Sequence, residues 1–280
     1  MEQRRARIAL GIWSALVIAF LWIPLALIAV YAFNRSNVQS WPITSFTTHW
    51  FDAAWTSEIR TSVWLSARVG LIATGFALVL GSAAAFGVAR FRFFGREAVS
   101  FLFVLPIALP GIVTGIALNS AFITGNVTLS QWTIVIGHAT FCVVIVYNNV
   151  LARLRRSSPS LIEASQDLGA DGWQTFRFVV WPVISTALVA GGLLAFALSF
   201  DEVIVTTFTA GSQNTLPLLI FGYIRLGQQL PVVNVIAFAM ILLTVIPVLL
   251  AQRLMRDTGV LRRSAGNVTE AVESAQITAV

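Results

Sequence analysis

Six runs of apolar residues set the terms for this chain, each close to or beyond the roughly twenty residues a helix needs to cross a bilayer core. They fall near residues 8–33, 60–89, 98–124, 131–152, 182–208 and 231–252. Backbone in hydrocarbon must satisfy its own N–H and C=O groups, so segments of this kind fold as helices. The expected class is therefore all-α, a polytopic membrane protein of six transmembrane helices. Composition agrees: 57% of residues are hydrophobic and 11% charged, against about 25% charged in a soluble domain. The first run follows "RRAR". It outlasts the roughly 7–15 apolar residues of a signal peptide, and no small-x-small cleavage site follows. It is expected to remain as a membrane helix.

Arginine fixes the orientation. All 18 basic residues are Arg and none is Lys. With the N-terminus inside, the inner segments hold Arg4, Arg5, Arg7, Arg90, Arg92, Arg96, Arg153, Arg155, Arg156, Arg177, Arg253, Arg256, Arg262 and Arg263. The outer segments hold Arg35, Arg60 and Arg225, and Arg68 lies within a span. Fourteen against three is a decisive positive-inside bias, so both termini are expected in the cytoplasm. The basic residues punctuate apolar runs instead of clustering on a polar face, which speaks against nucleic acid as a partner. Outside, Trp41, Trp50 and Trp55 suit the headgroup zone. The tail, 264–280, is small and polar and is expected to be disordered.

Between spans four and five the chain leaves the membrane for residues 153–181, which include "SPSLIEASQDLGADGWQTFRFVVW". Two short helices are expected here. Ser158 is placed to cap the first, with Pro159 at its N1 position. Leu161, Ala164, Ser165 and Leu168 recur at helical spacing. Gly169 stops that helix as a C′ residue able to take positive φ. Asp171 and Gln174 form a capping box for the second, whose Trp173, Phe176, Arg177 and Val180 share a face, and Pro182 opens the fifth span. Surface-lying helices would be the plain alternative. The face is narrow, however, and built around small residues that allow close approach to another backbone, with Glu163 free for a charged partner. A docking element for a cytoplasmic protein is the better reading.

The same stretch resembles the signature of the membrane subunits of ATP-binding-cassette (ABC) importers. That signature reads Glu-Ala-Ala, three residues, Gly, nine residues, then Ile-x-Leu-Pro. Here Glu163-Ala164-Ser165, Gly169 and Val179-Val180-Trp181-Pro182 keep the register, with Ser165, Val179 and Trp181 as the substitutions. The resemblance implies a type I importer permease over residues 1–263, in the bacterial inner membrane. It implies a dimer of cytoplasmic ABC ATPases, a second, homologous permease subunit and an extracytoplasmic solute-binding protein as partners. Ala164, Ser165 and Leu168 would sit in a groove of the ATPase, Glu163 would pair with a group on it, and Gly169 would let the chain turn. ATP would be used by those partners, with no cofactor bound by this chain. A phosphate-binding loop needs a lysine, which the sequence lacks, and no catalytic constellation is present, so the chain is not expected to be an enzyme.

Span five carries "LSFDEVIVTTFTAG". Ionisable residues within a span face a partner or a water-filled path. Asp201, Glu202 and, on span two, Arg68 are expected roughly 10–13 Å below the outer boundary at 1.5 Å per residue. Either Arg68 pairs with a carboxylate, or one acid lines the solute path; adjacent helical residues diverge by about 100°, so both acids are not expected to face it. "SFDEVIVTTFTAG" followed by "TLPLLIFGYIR" resembles the polyamine (spermidine/putrescine) branch of these permeases, most closely the second of its two membrane subunits. Related branches carry amino acids, opines, phosphonates, iron or thiamine. Carboxylates and aromatic rings such as Phe196 and Phe200 suit ammonium groups.

His138 and Cys142 share a face at i, i+4, but no third ligand accompanies them, and core packing is expected instead of a metal site. Gly111 and Gly115 form a small-xxx-small pair favouring close packing, just after Pro106 and Pro110, which should kink span three. A secondary transporter needing no ATPase would show inverted repeats; none is evident between 1–130 and 131–260, and it would leave the capped cytoplasmic helices unexplained.

Overall fold

A computed structural model describes residues 2–243 except 40, 92 and 159. The expected tail, the end of the sixth span (244–252) and the last four arginines lie outside the described residues. The described residues divide into two compact units, one within 1–55 together with those from 227 on, the other within 56–226.

In the first unit, α1 (Glu2–Ala32) is a single helix. Its Trp13, Phe20 and Trp22 are exposed, a surface that hydrocarbon would cover. After it the chain folds back on itself. Thr47 N–H donates to the Phe33 carbonyl (2.7 Å), Arg35 N–H to the Ser45 carbonyl (3.1 Å), and the Trp50 indole N–H to the Asn34 carbonyl (2.8 Å). This unit also holds α2 (His49–Ala53). A further apolar helix, Leu230–Leu243, has its Phe238 ring against Phe33, 5.8 Å between centroids.

The second unit is built on three long helices, α3 (Ser57–Arg90), α6 (Gln131–Arg156) and α9 (Trp181–Asp201), all in mutual contact. The inward stripe of α3 runs Ser62, Ser66, Val69, Ala73, Ala77, Gly81, Ala85, Val88, a three-four spacing dominated by small residues. Lipid gives little hydrophobic drive between helices, so close backbone approach has to supply the packing. At Gly81 that approach is at its limit. A Cβ there would lie 2.8 Å from the Val143 carbonyl oxygen and 3.0 Å from the Tyr147 nitrogen.

Span three is broken. α4 (Arg96–Ala108) and α5 (Gly111–Thr124) meet at 102°. Pro106 is accommodated inside α4, and the bend falls at Leu109–Pro110, where the Pro110 nitrogen has no hydrogen to continue the ladder. Past the bend, the Gly111/Gly115 pair packs against α10 (Ile204–Thr209): a Cβ on Gly115 would meet the Phe208 ring at 2.6 Å. α4 is pinned to α6 by Tyr147, which stacks on Phe103 (5.0 Å, 16°) and donates to the Ser100 hydroxyl.

Among the described residues, four helices are long and apolar enough to cross a membrane, or five if the bent pair counts as one span. Span five departs from the uninterrupted 182–208 expected. Its helix starts at Gly172, runs to Asp201, breaks at Glu202–Val203 and resumes as α10. Pro182 does not open it. Residues Phe176–Val180 widen into a π turn in which Trp181 N–H reaches back five residues to the Phe176 carbonyl. That widening accommodates a residue that can neither donate to the carbonyl four back nor avoid its bulk.

Candidate functional site

The loop after α6 forms largely as its sequence dictates. α7 (Ser160–Asp167) ends in a Schellman motif. Ala170 N–H donates to the Ser165 carbonyl (3.1 Å), Gly169 N–H to the Gln166 carbonyl (2.9 Å), and Gly169 sits at φ +85°. The Asp171–Gln174 capping box is reciprocal, at 2.8 and 3.0 Å, and opens α8 (Gly172–Thr175). The Ser158 cap does not form as expected. The Ser158 hydroxyl meets that of Ser160 (2.6 Å), and its carbonyl accepts from Leu161 N–H (3.3 Å); Pro159 lies outside the described residues.

The faces of α7 also divide differently from the expected single stripe. Ile162 and Ser165 turn inward, and the Ser165 hydroxyl lies 3.0 Å from that of buried Thr175. Glu163, Ala164 and Asp167 face out, and Leu168 is 90% exposed. No described residue pairs with Glu163. Ser165 thus holds α7 against α8, while Glu163, Ala164 and Leu168 present the free surface. Thr175 was not singled out from the sequence, where a threonine inside a capped helix carries no distinguishing signal.

α8, the π turn and α9 are continuous. Thirty residues from Gly172 to Asp201 rise about 45 Å, against a hydrocarbon core of about 30 Å. One rigid rod therefore joins the loop to the acidic pair. Near its base, rings from Trp173, Phe176 and Trp181 pack in series, and Phe86 of α3 joins Phe176. Arg153 of α6 donates to the Val183 carbonyl (2.8 Å).

At the other end the two acids part company. The Glu202 carboxylate turns back and accepts from Val205 N–H (2.9 Å), capping α10. Asp201, the last residue of α9, is exposed, and no described residue bonds its carboxylate. Arg68 meets neither. Its guanidinium lies over the Trp64 ring, 4.9 Å from the centroid, on the wall of a cleft of about 480 Å³ that Glu58, Gln213 and Asn214 also line. The Arg68–carboxylate pair, one of the two arrangements the sequence allows, is not formed, because the break after Asp201 commits Glu202 to α10 and Arg68 already has an aromatic partner one turn away.

The break itself is stitched by side chains of α5 and α6. His138 of α6, 1% exposed, reaches Ser199 of α9 through Nδ1 (2.7 Å) and Thr206 of α10 through Nε2 (2.8 Å). Thr133 donates to the Thr209 carbonyl (2.7 Å) and Asn119 to the Phe208 carbonyl (2.6 Å). Cys142, one turn from His138, directs its Sγ to the Ala195 carbonyl (3.3 Å). Both His138 nitrogens are thus engaged by hydroxyls, and no group of three metal-ligating side chains occurs among the described residues. The signal in the sequence was the set of polar residues within apolar runs, Ser199 and Thr206 flanking the acids.

Residues 77–259 match the family described as binding-protein-dependent transport system inner membrane component. The chain is 31% identical over 254 residues to the spermidine/putrescine transport system permease protein PotC of Escherichia coli strain K12, covering 90% of this chain and 95% of that protein. It is 32% identical over 228 residues to the putrescine transport system permease protein PotI of the same organism, covering 78% and 80%. Its fold is similar to a chain from the crystal structure of a bacterial ABC transporter involved in the import of the acidic polysaccharide alginate. The TM-score is 0.60 at 17% identity, covering 89% of this chain and 97% of that one. These relatives are transport proteins and not enzymes. With several apolar helices of membrane-crossing length, a matching family model over most of the chain and relatives along nearly all of it, the chain belongs to the family of binding-protein-dependent transport system inner membrane components, the multi-pass permease subunits of bacterial ABC importers.

Proposed function

We propose that this chain is one of two membrane subunits of an ATP-driven polyamine importer. It would line the solute path and receive the stroke of a cytoplasmic ATPase dimer through α7. A second permease and an extracytoplasmic solute-binding protein complete the assembly. The observation that carries the reading is the continuous Gly172–Asp201 helix, with a free docking surface at one end and an unpartnered carboxylate at the other. ATP binds and is hydrolysed on the partner, and its closure moves α7. Because α7 is tied to α8 through Ser165 and Thr175, and α8 is the base of α9, the displacement reaches Asp201 as a rigid-body shift. Likeness to the spermidine/putrescine and putrescine permeases over most of the chain supports a polyamine as the solute. An Asp201 carboxylate would replace part of the water an ammonium group loses on entering the path, with moderate strength so that the solute leaves again. The test is uptake of labelled putrescine and spermidine by cells expressing the whole transporter, against the same cells lacking this chain. ATP-dependent accumulation of either amine that requires the chain is expected; accumulation only of amino acids or phosphonates from a parallel panel would overturn the substrate.

The proposed topology has six spans and both termini in the cytoplasm, from the arginine distribution. It places residue 170 inside. The native thiol can be removed with little disturbance, since Cys142→Ser keeps a donor for the Ala195 carbonyl. In that background, Ala170→Cys is expected to resist an impermeant thiol reagent in intact cells and to react in inverted vesicles. Labelling in intact cells would reverse the orientation.

A further inference from the structure

We infer that His138 is a positioning residue for the solute path. By tying Ser199 to Thr206 across the break at Glu202–Val203, it sets the direction in which Asp201 presents its carboxylate. The inference rests on reading Asp201 as a path residue, which assigns no task to the histidine.

The hydrogen-bond network dictates which ring nitrogen carries the proton. The Thr206 hydroxyl donates to the Glu202 carbonyl (2.8 Å), so its one hydrogen is committed. It therefore accepts from His138 Nε2–H, and Nδ1 in turn accepts from the Ser199 hydroxyl. The ring is thus a rigid, neutral bridge with one donor and one acceptor, each matched to its own partner. Ser199 lies two residues before Asp201, and the carbonyl held by Thr206 belongs to the residue after it. Asp201 is accordingly suspended between two fixed points. That matters at this place in the chain. A helix end leaves backbone groups unpaired and backbone dihedrals unrestrained by the ladder, so the last residue of α9 would otherwise swing with the Glu202–Val203 joint.

The experiment reads the direction of residue 201 separately from transport. In the Cys142→Ser background of the assembled transporter, Asp201→Cys introduces a thiol whose rate of modification by a small cationic thiosulfonate is measured. Adding Thr206→Val, which keeps shape but removes both the acceptor for Nε2–H and the donor to the Glu202 carbonyl, is expected to change that rate at least about tenfold, since two buried hydrogen bonds are lost. Thr206→Ser, which keeps the hydroxyl, should return it to within about twofold. Val135→Ala, a cavity at another buried position on α6 outside the network, should leave it unaltered. Rates are first-order and independent of how much protein accumulates, so poorer folding alone does not mimic the effect. An unchanged rate with Thr206→Val, or an equal change with Val135→Ala, overturns the positioning role. The reading it rests on has its own arm: should Asp201→Asn transport normally while the thiol rate shifts as expected, the bridge stands and the path assignment falls.

Discussion

Gly169→Trp is expected to leave the protein inserted in the membrane yet disconnect it from its ATPase, with uptake falling at least about tenfold. The two halves of that expectation have separate causes. Space around Gly169 is open, since a Cβ there would meet nothing within 4 Å, so the indole does not collide within the chain. What the chain itself bears is the left-handed backbone at φ +85°, about 1–2 kcal/mol for a residue with a Cβ. That is enough to loosen one Schellman turn and too little to unfold a bundle. The bulk falls on whatever seats against α7. Gly169→Ala separates the two, because it carries the backbone strain without the bulk and should retain most of the coupling. Glu163→Arg supplies an independent probe. Glu163 is exposed and has no described partner, so reversing its charge costs the fold a few tenths of a kcal/mol at the helix N-terminus. Its effect should instead fall on the partner surface. The measurement is copurification of the ATPase at equal membrane levels, together with ATP-driven uptake. Undiminished uptake by both Gly169→Trp and Glu163→Arg would remove α7 from the coupling path.

The loop after α6 was legible because its determinants are local. A C′ glycine and a capping box four residues long each act within one turn, and both formed where the sequence put them. What the sequence misassigned was the direction of Ser165, which depends on Thr175 ten residues on, and the role of Pro182. A proline after a capped helix normally marks a fresh start. Here the π turn lets the helix run through it, and nothing in "FRFVV" announces that widening. The kink of span three was legible from Pro110, but its size was not, because 102° reflects how Gly111 and Gly115 seat α5 on α10. The break after Asp201 was hidden for the same reason. No glycine or proline occurs between Gly192 and Gly211, and an apolar run with two acids in it reads as a span with charges at one depth. The chain breaks there because side chains from α5 and α6, Asn119, Thr133 and His138, take up groups on and around α10. Those contacts join residues 68 to 89 positions apart, beyond the reach of any local pattern.

That break yields the second large effect, a contrast between neighbouring acids. Asp201→Asn is expected to lower polyamine uptake about 10- to 100-fold at normal protein levels. A hydrogen bond to a charged group contributes about 1.5–3 kcal/mol, and each 1.4 kcal/mol is tenfold. Asn keeps the size and loses the charge that an ammonium group answers. Glu202→Gln should do little, since the amide oxygen can still accept from Val205 N–H and cap α10. Glu202→Leu removes that acceptor. It should cost about 0.5–2 kcal/mol of stability, seen as lower membrane levels with uptake per assembled complex preserved. Arg68→Leu, finally, should neither strand nor rescue either acid. Its guanidinium rests on Trp64, not on a carboxylate, so combining it with Asp201→Leu recovers nothing. The decisive comparison is uptake normalised to membrane level for Asp201→Asn and Glu202→Gln measured side by side. Equal losses in both would mean that the charge at this level acts as a pair, and that the division of labour between a capping and a path carboxylate is wrong.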